Sequence, residues 1–298
     1  MGLRRWSPAR WNLVGRHVLI TGAAQGIGRD AAARLAKRGA RISLLDLQAE
    51  SVERSATALT AGGAEAEPFV ADVSDRDGLA EAIAAARTRF GPIDVAIANA
   101  GIAPTPVPAV AMSDEEFERV VAVNLIGVWR TLKLTLPDVV ERRGYLLPIA
   151  SLAAGVPVPF GAPYGASKSG VHSLARTLRM ELAHTGVKVG CAYFGFIDTD
   201  MTTHAFEKPE LRRARRGLPG VFSKVVPVGA AGEAIARGVE RRSKRVVAPR
   251  WVTIPILFGG VGGPIESLAA REPRLVRALR SELAIEEKQQ PEIEEVSP

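Results

Sequence analysis

The sequence predicts an α/β fold with a doubly wound parallel sheet in one domain, helices on both faces of the sheet, and a C-terminal helical extension. Short apolar runs alternate with stretches of helical periodicity over most of the 298 residues, and this alternation requires crossovers between parallel strands. A glycine-rich turn joins the first apolar run to the first helical stretch. The single cysteine, Cys191, excludes a disulfide scaffold, and a chain of this length buries a large core without cross-links.

The strands and helices are predicted in alternating order from residue 17 onward. Ser113, followed three residues later by Glu116, has the spacing of a capping box at the start of a long helix, and Ser74 with Asp77 has the same spacing before the third helix. The predicted strands are 17–20, 41–45, a segment ending at 70, 94–98, 145–149, 188–193 and 246–248. The predicted helices are 27–38, a stretch ending near 60, 76–90, 113–142, 164–184 and 230–242.

These elements form one predicted domain, 14–252, between two shorter segments. Residues 1–13 are interpreted as an N-terminal arm. Residues 253–298 form the C-terminal extension, with helical spacing in its middle and an acidic tail, 286–298, that we expect to be disordered. Residues 195–228 lie between a strand and a helix and have no clear periodicity, which is typical of a lid over a binding site.

The charge of the chain is concentrated in one stretch. The net charge is +7, and twelve basic but only four acidic residues lie between Thr203 and Arg250. Such a stretch fits nucleic acid, an anionic membrane, a phosphate-bearing substrate or a solvated face. Because aromatic residues make up only 5% of the chain and no stacking platform is visible, we favour the solvated face and expect no nucleic-acid partner.

The lack of recognisable targeting signals predicts a cytoplasmic protein. The N-terminal residues lack the apolar run of a signal peptide, and one cysteine does not call for an oxidising compartment. The longest uncharged apolar stretch, 251–265, is too short to span a bilayer and contains two prolines. Peripheral contact with a membrane through Trp6, Trp11 and this stretch stays open.

The first turn after a strand has the composition of a phosphate-binding loop. Glycines allow a tight turn and let backbone N–H groups approach a pyrophosphate, and the following helix N-terminus adds a partial positive charge. The G-x-x-x-G-x-G spacing differs from the G-x-G-x-x-G fingerprint. The candidate cofactor-binding residues of this turn are Thr21, Gly22, Gln25, Gly26, Ile27 and Gly28.

The residue that ends the second strand selects the cofactor. Asp46 is placed to accept hydrogen bonds from an adenosine ribose and to repel a 2′-phosphate. Leu47 follows it, and Gln25 in the preceding turn is uncharged, so we predict NAD, with NADP less favoured. Asp46 is equally suited to capping the next helix, and the two roles are compatible. Further candidates at the ends of the third and fourth strands are Asp72, Val73, Asn99, Ala100 and Gly101.

Four polar residues suggest acid/base chemistry at the same edge of the sheet, namely Asn124, Ser151, Tyr164 and Lys168. Tyr164 and Lys168 are four residues apart on a predicted helix and therefore share one face. An ammonium near a phenol is expected to lower the tyrosine pKa toward working pH, which makes a usable acid/base. Ser151 directly follows a strand and is placed to hydrogen-bond a carbonyl or alcohol oxygen. Taken singly, each of these residues is equally consistent with packing or a solvated charge.

Five motifs, considered together with their order along the chain, resemble those of the short-chain dehydrogenase/reductase family over roughly residues 14–252. The resemblance implies a Rossmann-like fold and reversible hydride transfer between an alcohol or carbonyl carbon and a nicotinamide. It further implies that Tyr164 is the general acid/base, that Ser151 orients the reacting oxygen, and that Lys168 binds the nicotinamide ribose and tunes Tyr164. Tyr164 is assigned to the cofactor site together with Lys168. Asn124 would support a proton-relay water. The motifs are Thr21 to Gly28, Asn99-Ala100-Gly101, Asn124, Ser151 and Tyr164 to Lys168.

One position departs from the family pattern. Phe194 stands where the family usually has proline, so the entrance to the lid is expected to differ. The resemblance assigns Ile197 and Thr199, just beyond, to the cofactor site. It also implies a homo-oligomer formed through the long helices 113–142 and 164–184.

The sequence indicates a substrate class without fixing it. Aromatic and apolar residues are enriched in and after the predicted lid, which favours a lipophilic secondary alcohol or ketone of steroid, terpenoid or acyl type. Arginines at 212, 213, 215 and 216 favour instead a 3-oxoacyl or 3-hydroxyacyl thioester. A non-catalytic NAD-binding scaffold is the alternative of another class. No metal is expected, because the four histidines, His17, His172, His184 and His204, have no ligand spacing.

Overall fold

A parallel sheet forms the centre of the fold, as the sequence predicts. The computed structural model describes residues 10–207, 212, 215, 220–258, 273, 276 and 277. Six strands pair in the order β3-β2-β1-β4-β5-β6, and two further strands pair as β7-β8. The strands are β1 (His17–Thr21), β2 (Arg41–Asp46), β3 (Ala66–Val70), β4 (Val95–Ala98), β5 (Tyr145–Pro148), β6 (Lys188–Val189), β7 (Ala192–Phe194) and β8 (Val246–Ala248).

Helices cover both faces of this sheet. Along β1, Val18 and Ile20 point into one buried cluster while Leu19 points into the other, because successive side chains of a strand face opposite sides. Burial on both faces explains why the strands have continuous apolar runs. The helices are α1 (Gly26–Ala36), α2 (Ala49–Ala61), α3 (Arg76–Phe90), α4 (Asp114–Val121), α5 (Val128–Glu141), α6 (Ala162–Glu181), α7 (Asp200–Ala205), α8 (Val228–Arg241) and α9 (Thr253–Phe258).

The predicted strand 188–193 is wrong as a continuous element, because it is interrupted between β6 and β7. At the interruption, a side chain on Gly190 would collide with the Tyr145 hydroxyl and lie 2.5 Å from the Ser243 carbonyl oxygen. That hydroxyl donates a hydrogen bond to the same carbonyl at 2.7 Å. Because Gly190 has no side chain, the buried Tyr145 hydroxyl can bond to the Ser243 carbonyl oxygen at this point, where the regular strand pairing is interrupted.

The two predicted helix caps have different outcomes. The Ser113 cap is confirmed, since its side chain accepts a hydrogen bond from the Glu116 N–H. The Ser74 cap is wrong. The side chain of Asp75 caps α3 by accepting from the Asp77 N–H, while Ser74 instead bonds to Asp72 through both its N–H and its hydroxyl.

The long helix predicted from Ser113 is continuous but not uniform, because a π-helical turn, Ala122–Gly127, separates α4 from α5. By length and composition alone, the continuous helix Asp114–Glu141 passes the test for a membrane-spanning segment, because one 18-residue window within it has a mean hydropathy of 1.2. It packs against the sheet through apolar residues such as Leu132 and Val139, which are fully buried. These contacts are those of a core helix.

The segments at the two ends and the predicted lid are described in part. Leu13 is buried, and the Trp11 N–H donates to the Glu240 carbonyl oxygen at 2.7 Å, so the end of the arm packs on the domain. Helix α7 and a turn at 220–223 lie in the predicted lid. Most of 208–219, the arm before residue 10, the helical spacing of 265–285 and the acidic tail lie outside the described residues.

Candidate active site

The glycine-rich turn between β1 and α1 is closed by close backbone contacts. Gly22 has φ +65°, and a Cβ there would lie 2.8 Å from the Ala100 Cα. A Cβ on Gly28 would collide with the Gly22 carbonyl oxygen. Larger side chains at these two positions would separate the turn from the end of β4. The backbone is thus shaped as a cradle for a phosphate at the N-terminus of α1.

Side chains at the ends of β1 and β4 hold this cradle together. The Thr21 hydroxyl accepts hydrogen bonds from the N–H groups of Asn99 and Ala100, both at 3.1 Å. In return, the Asn99 side-chain amide donates to the carbonyl oxygens of Thr21 and Gly22 at 3.0 and 2.9 Å. Both residues were predicted as cofactor contacts, and the structure places their side chains in the frame of the turn.

Asp46 lies at the end of β2, beside the same turn. One carboxylate oxygen accepts from the Ala24 N–H at 2.9 Å, and the other accepts from the Gln48 N–H at 3.1 Å. The carboxylate therefore both ties the glycine-rich turn to β2 and supports the entry to α2. Leu47 beside it is 63% exposed. An acidic group next to an exposed apolar surface matches the chemistry of a ribose and an adenine ring.

Other predicted cofactor residues are in structural contacts at the same edge. Asp72 accepts two hydrogen bonds from Ser74, and Val73 packs against Gly127, where a Cβ would lie 2.6 Å from the valine Cγ2. Gln25 is exposed at the start of α1. Ile27 is half-buried and packs against the core under α1.

The start of the lid region also reaches the glycine-rich turn. Ile197 is buried and forms a β-bridge with Val226. Thr199 begins α7, its hydroxyl accepting from the Thr202 N–H at 3.4 Å. A Cβ on Gly26 would lie 3.6 Å from the Thr199 methyl group. The structure thus brings Thr199 beside the predicted phosphate cradle, although 173 residues of sequence separate it from Gly26.

Ser151 and Tyr164 meet beyond the end of β5. The Ser151 hydroxyl interacts with the Tyr164 phenol, donates to the Phe194 carbonyl oxygen at 3.5 Å and accepts from the Ala153 N–H at 3.2 Å. Burial raises the pKa of Tyr164, and the interaction with Ser151 acts in the opposite direction. Tyr164 is therefore a protonated phenol at neutral pH in this structure, with a serine hydroxyl beside it.

Lys168 lies below this pair, one turn further along α6. Its Nζ donates to the Ile149 carbonyl oxygen at 3.0 Å and lies 5.6 Å from the centre of the Tyr164 ring. Burial lowers the pKa of Lys168 to about 8. The net lowering of the Tyr164 pKa that the sequence predicts is wrong for this structure, since burial of the phenol dominates and raises that pKa.

Asn124 reaches the site from the π-helical turn. Its side-chain oxygen accepts from the Ile102 N–H at 2.8 Å, and its amide donates to the Ile102 carbonyl oxygen at 2.9 Å. A Cβ on Gly101 would lie 3.1 Å from the Asn124 oxygen and 3.4 Å from the Lys168 Nζ. Gly101 therefore leaves the space in which Asn124 and Lys168 approach each other. Neither the role of Ile102 nor the π-helical turn was predicted, because both depend on long-range contacts that periodicity does not reveal.

Helix α9 borders the site from the C-terminal end of the domain. A Cβ on Gly155 would lie 2.7 Å from the Pro255 carbonyl oxygen, so α9 packs directly on the turn that follows Ser151. Trp251, just before α9, lies close to Gly195, where a Cβ would be 3.5 Å from its ring. The predicted domain boundary at 252 falls immediately before a helix that contacts the site.

Comparison with known proteins identifies the family. A sequence profile described as short chain dehydrogenase matches residues 16–210. Levodione reductase of Leifsonia aquatica is 35% identical over 222 residues, covering 74% of this chain and 83% of that protein. The 3-oxoacyl-(acyl-carrier-protein) reductase FabG of Thermotoga maritima is 32% identical over 213 residues, covering 71% and 86%. A crystal structure of levodione reductase matches with a TM-score of 0.73 at 29% identity, covering 79% of this chain and 96% of that one.

The chain belongs to the short-chain dehydrogenase family. It is an oxidoreductase with a Rossmann-like fold that acts on alcohol or ketone substrates, and the family uses NAD or NADP. The residues present fit such a cofactor, since the close Gly22 and Gly28 backbone leaves room for a phosphate at the start of α1 and the Asp46 carboxylate lies beside the same turn. In the part of the chain that the structure describes, no three His, Cys, Asp or Glu side chains are grouped to hold a metal ion.

Proposed function

We propose that the protein is an NAD-dependent oxidoreductase that interconverts a lipophilic secondary alcohol and its ketone. The observation that carries this proposal is the proximity of the Ser151 and Tyr164 hydroxyls to each other, with the Lys168 ammonium 5.6 Å from the tyrosine ring. Two neighbouring hydroxyls are suited to a carbonyl or alcohol oxygen, which accepts or donates a hydrogen bond at each.

The side chains have distinct tasks in this proposal. Ser151 holds the substrate oxygen, and Tyr164 exchanges the proton with it, as an acid in ketone reduction and as a base in alcohol oxidation. Lys168 places a positive charge beneath the phenol and favours its ionised form in the transition state. Asn124 fixes the backbone at Ile102, beside Lys168. When bound, the nicotinamide supplies or accepts the hydride.

Asp46 supports NAD as the cofactor. Its carboxylate is oriented by the Ala24 and Gln48 N–H groups, and each oxygen keeps a further lone pair for a ribose hydroxyl. A 2′-phosphate beside that ribose would be repelled by the Asp46 carboxylate, and two like unit charges about 4 Å apart repel each other by roughly 1–4 kcal/mol, depending on their exposure to water.

A lipophilic substrate is supported by the apolar surroundings. The rings of Phe196 and Phe206 stack edge to face at 5.3 Å beside the lid. On α9, Ile254, Leu257 and Phe258 are 64%, 53% and 62% exposed. Exposed apolar groups bordering a site favour a substrate that buries them.

This proposal is tested by assaying purified protein with NAD⁺ against a panel of secondary alcohols of matched reactivity. Steroid, terpenoid and acyl-chain alcohols are expected to react with higher kcat/KM than small polar alcohols. Turnover restricted to small polar alcohols would contradict the lipophilic class. NADH binding without turnover of any alcohol would favour the non-catalytic scaffold.

An acyl thioester is the second candidate substrate. A cavity of about 400 Å³ beside α7 is lined by Arg212 and Arg215 together with Phe206, Val225 and Pro227. Basic and apolar groups in one cavity match a phosphate-bearing acyl carrier, and the FabG relative is a 3-oxoacyl reductase by name. Arg212→Ala should then raise KM for a 3-oxoacyl coenzyme A several-fold without affecting neutral ketones. Equal KM values would contradict this candidate.

We further propose a cytoplasmic homo-oligomer. Phe117 and Trp129 are 39% and 40% exposed on α4 and α5, and burial of these side chains between copies would remove apolar surface from water. Sedimentation equilibrium should give a mass at least twice that of the 31.7 kDa chain. Peripheral membrane contact is a separate proposal that rests on the exposed residues of α9, since Trp11 is packed between Arg16 and Arg242.

A further inference from the structure

The loop that follows β4 begins inside the candidate active site. Gly101 borders both Asn124 and Lys168. The next residue, Ile102, is bound at both its N–H and its carbonyl oxygen by the Asn124 side chain. The loop, residues 102–108, then leaves the carboxyl end of β4 and passes along α4. Its position relative to Lys168 and Asn124 therefore limits the space open to a substrate.

A second attachment fixes this loop further out. The Thr105 N–H donates to one carboxylate oxygen of Glu116 at 2.9 Å, and Arg119 Nε donates to the other at 2.8 Å. The Glu116 side chain is only 19% exposed. Burial tends to raise its pKa, but the hydrogen bonds from Thr105 and Arg119 prevail and lower the pKa below its ordinary value. Glu116 is thus a charged acceptor throughout the neutral pH range.

The composition of the loop makes it dependent on such attachments. Pro104, Pro106 and Pro108 have no N–H to donate, and residues 102–108 have no regular secondary structure. The two anchors, Glu116 and Asn124, lie on one continuous helix, eight residues and thus about 12 Å apart. A stiff, extended loop held at two points along one helix forms a fixed wall.

We propose that Glu116 is a positioning residue that holds loop 102–108 as one wall of the substrate cleft and thereby sets substrate affinity. It acts through Thr105 and touches neither the substrate nor the cofactor. The proposal rests on the proposed oxidoreductase function for its kinetic consequence. Its structural consequence, attachment of the loop, is measurable without any substrate.

The test compares Glu116→Ala with Glu116→Gln and Glu115→Ala. Glutamine keeps an oxygen that accepts from Thr105. Glu115 is a neighbouring exposed acid, so its replacement removes the same charge without removing the hydrogen bond to Thr105.

Hydrogen exchange of the peptide spanning 101–112 should accelerate in Glu116→Ala only. KM for the best alcohol should rise about tenfold or more in Glu116→Ala, as for the loss of one hydrogen bond to a charged group, with kcat changed less than twofold and NADH affinity unchanged.

Each outcome is decisive. Equal exchange in Glu116→Ala and Glu115→Ala would overturn the attachment. Faster exchange with an unchanged KM would overturn the role in substrate affinity. A parallel fall of kcat, NADH affinity and melting temperature would show a general structural role instead. If the wild type shows no turnover, the proposed function is contradicted before any variant is compared. The hydrogen-exchange experiment then tests only whether Glu116 holds the loop.

Discussion

The two edges of the central sheet use buried polar groups in opposite ways. At the amino edge, Asp94 is 2% exposed and accepts from Arg16 at 2.7 Å, from Arg142 at 3.1 Å and from the His17 N–H at 3.0 Å. At the carboxyl edge, Lys168 is buried and Tyr164 is half-buried, in surroundings that disfavour their charged forms. One edge satisfies its charges and stabilises the fold. The other holds ionisable groups at unfavourable positions, as acid/base chemistry requires.

This contrast predicts that Tyr164→Phe has the largest effect on activity and almost none on stability. Loss of the phenol hydroxyl removes the general acid/base, so kcat should fall by about 10³-fold or more. The ring remains packed, so the melting temperature should stay within about 2 °C of wild type. Single-turnover assays and thermal melts measure the two effects. NADH affinity is the control, since it should not change, and retention of more than a tenth of the activity would contradict the assignment.

Asp94→Ala should have the reverse profile. The substitution leaves the buried His17 N–H and the partly exposed Arg16 and Arg142 without their acceptor, which should lower the free energy of unfolding by about 2 kcal/mol. The site lies at the far end of β4, so kcat per folded molecule should be unchanged. Urea unfolding followed by activity measurement checks both, with the exposed Glu141→Ala as a matched loss of charge. Loss of activity in the folded variant would show that the two edges are coupled.

Lys168→Met sharpens the comparison because it should stabilise the protein while abolishing turnover. Burial lowers the lysine pKa to about 8 in the folded protein, so the ammonium is held at an energetic disadvantage below pH 8. Removal of this ammonium should raise the free energy of unfolding at pH 7 by about 1–2 kcal/mol, after allowance for the lost hydrogen bond to the Ile149 carbonyl oxygen.

The pH dependence of that gain has a definite sign. Between about pH 8 and the ordinary lysine pKa, the unfolded chain binds a proton that the folded protein has released. The contribution of Lys168 to the free energy of unfolding of the wild type therefore rises with pH in that window. The advantage of Lys168→Met should be greatest below pH 8 and shrink above it. Thermal melts of both proteins at pH 7 and pH 10 measure the difference, and a gain that grows with pH would contradict the buried ammonium.

Much of the fold was accessible from periodicity and turn composition. The order of β1 to β5, the helices between them and the Ser113 cap follow from local sequence, because each depends on residues close in the chain. The break between β6 and β7 does not, since it is caused by Tyr145 reaching Ser243 across 98 residues.

For the candidate site, the sequence predicted which residues take part but not how they contact one another. The sequence indicated Tyr164, Ser151 and Asn124, but the hydrogen bonds of Asn124 to Ile102 depend on the π-helical turn. The direction of the Tyr164 pKa was predicted incorrectly, because burial is a property of the whole fold. Periodicity places a residue on a face and gives no measure of how deeply that face is buried.

The most direct test of the central claim, that the carboxyl edge binds NAD, is a fluorescence titration of wild type and Asp46→Asn with NADH and NADPH side by side. The wild type should bind NADH about tenfold or more tightly than NADPH, because the Asp46 carboxylate repels a 2′-phosphate. Asn keeps one acceptor oxygen but removes the charge, so the preference should narrow several-fold. Equal or tighter NADPH binding by the wild type would contradict the role of Asp46, and binding of neither nucleotide would contradict the site itself.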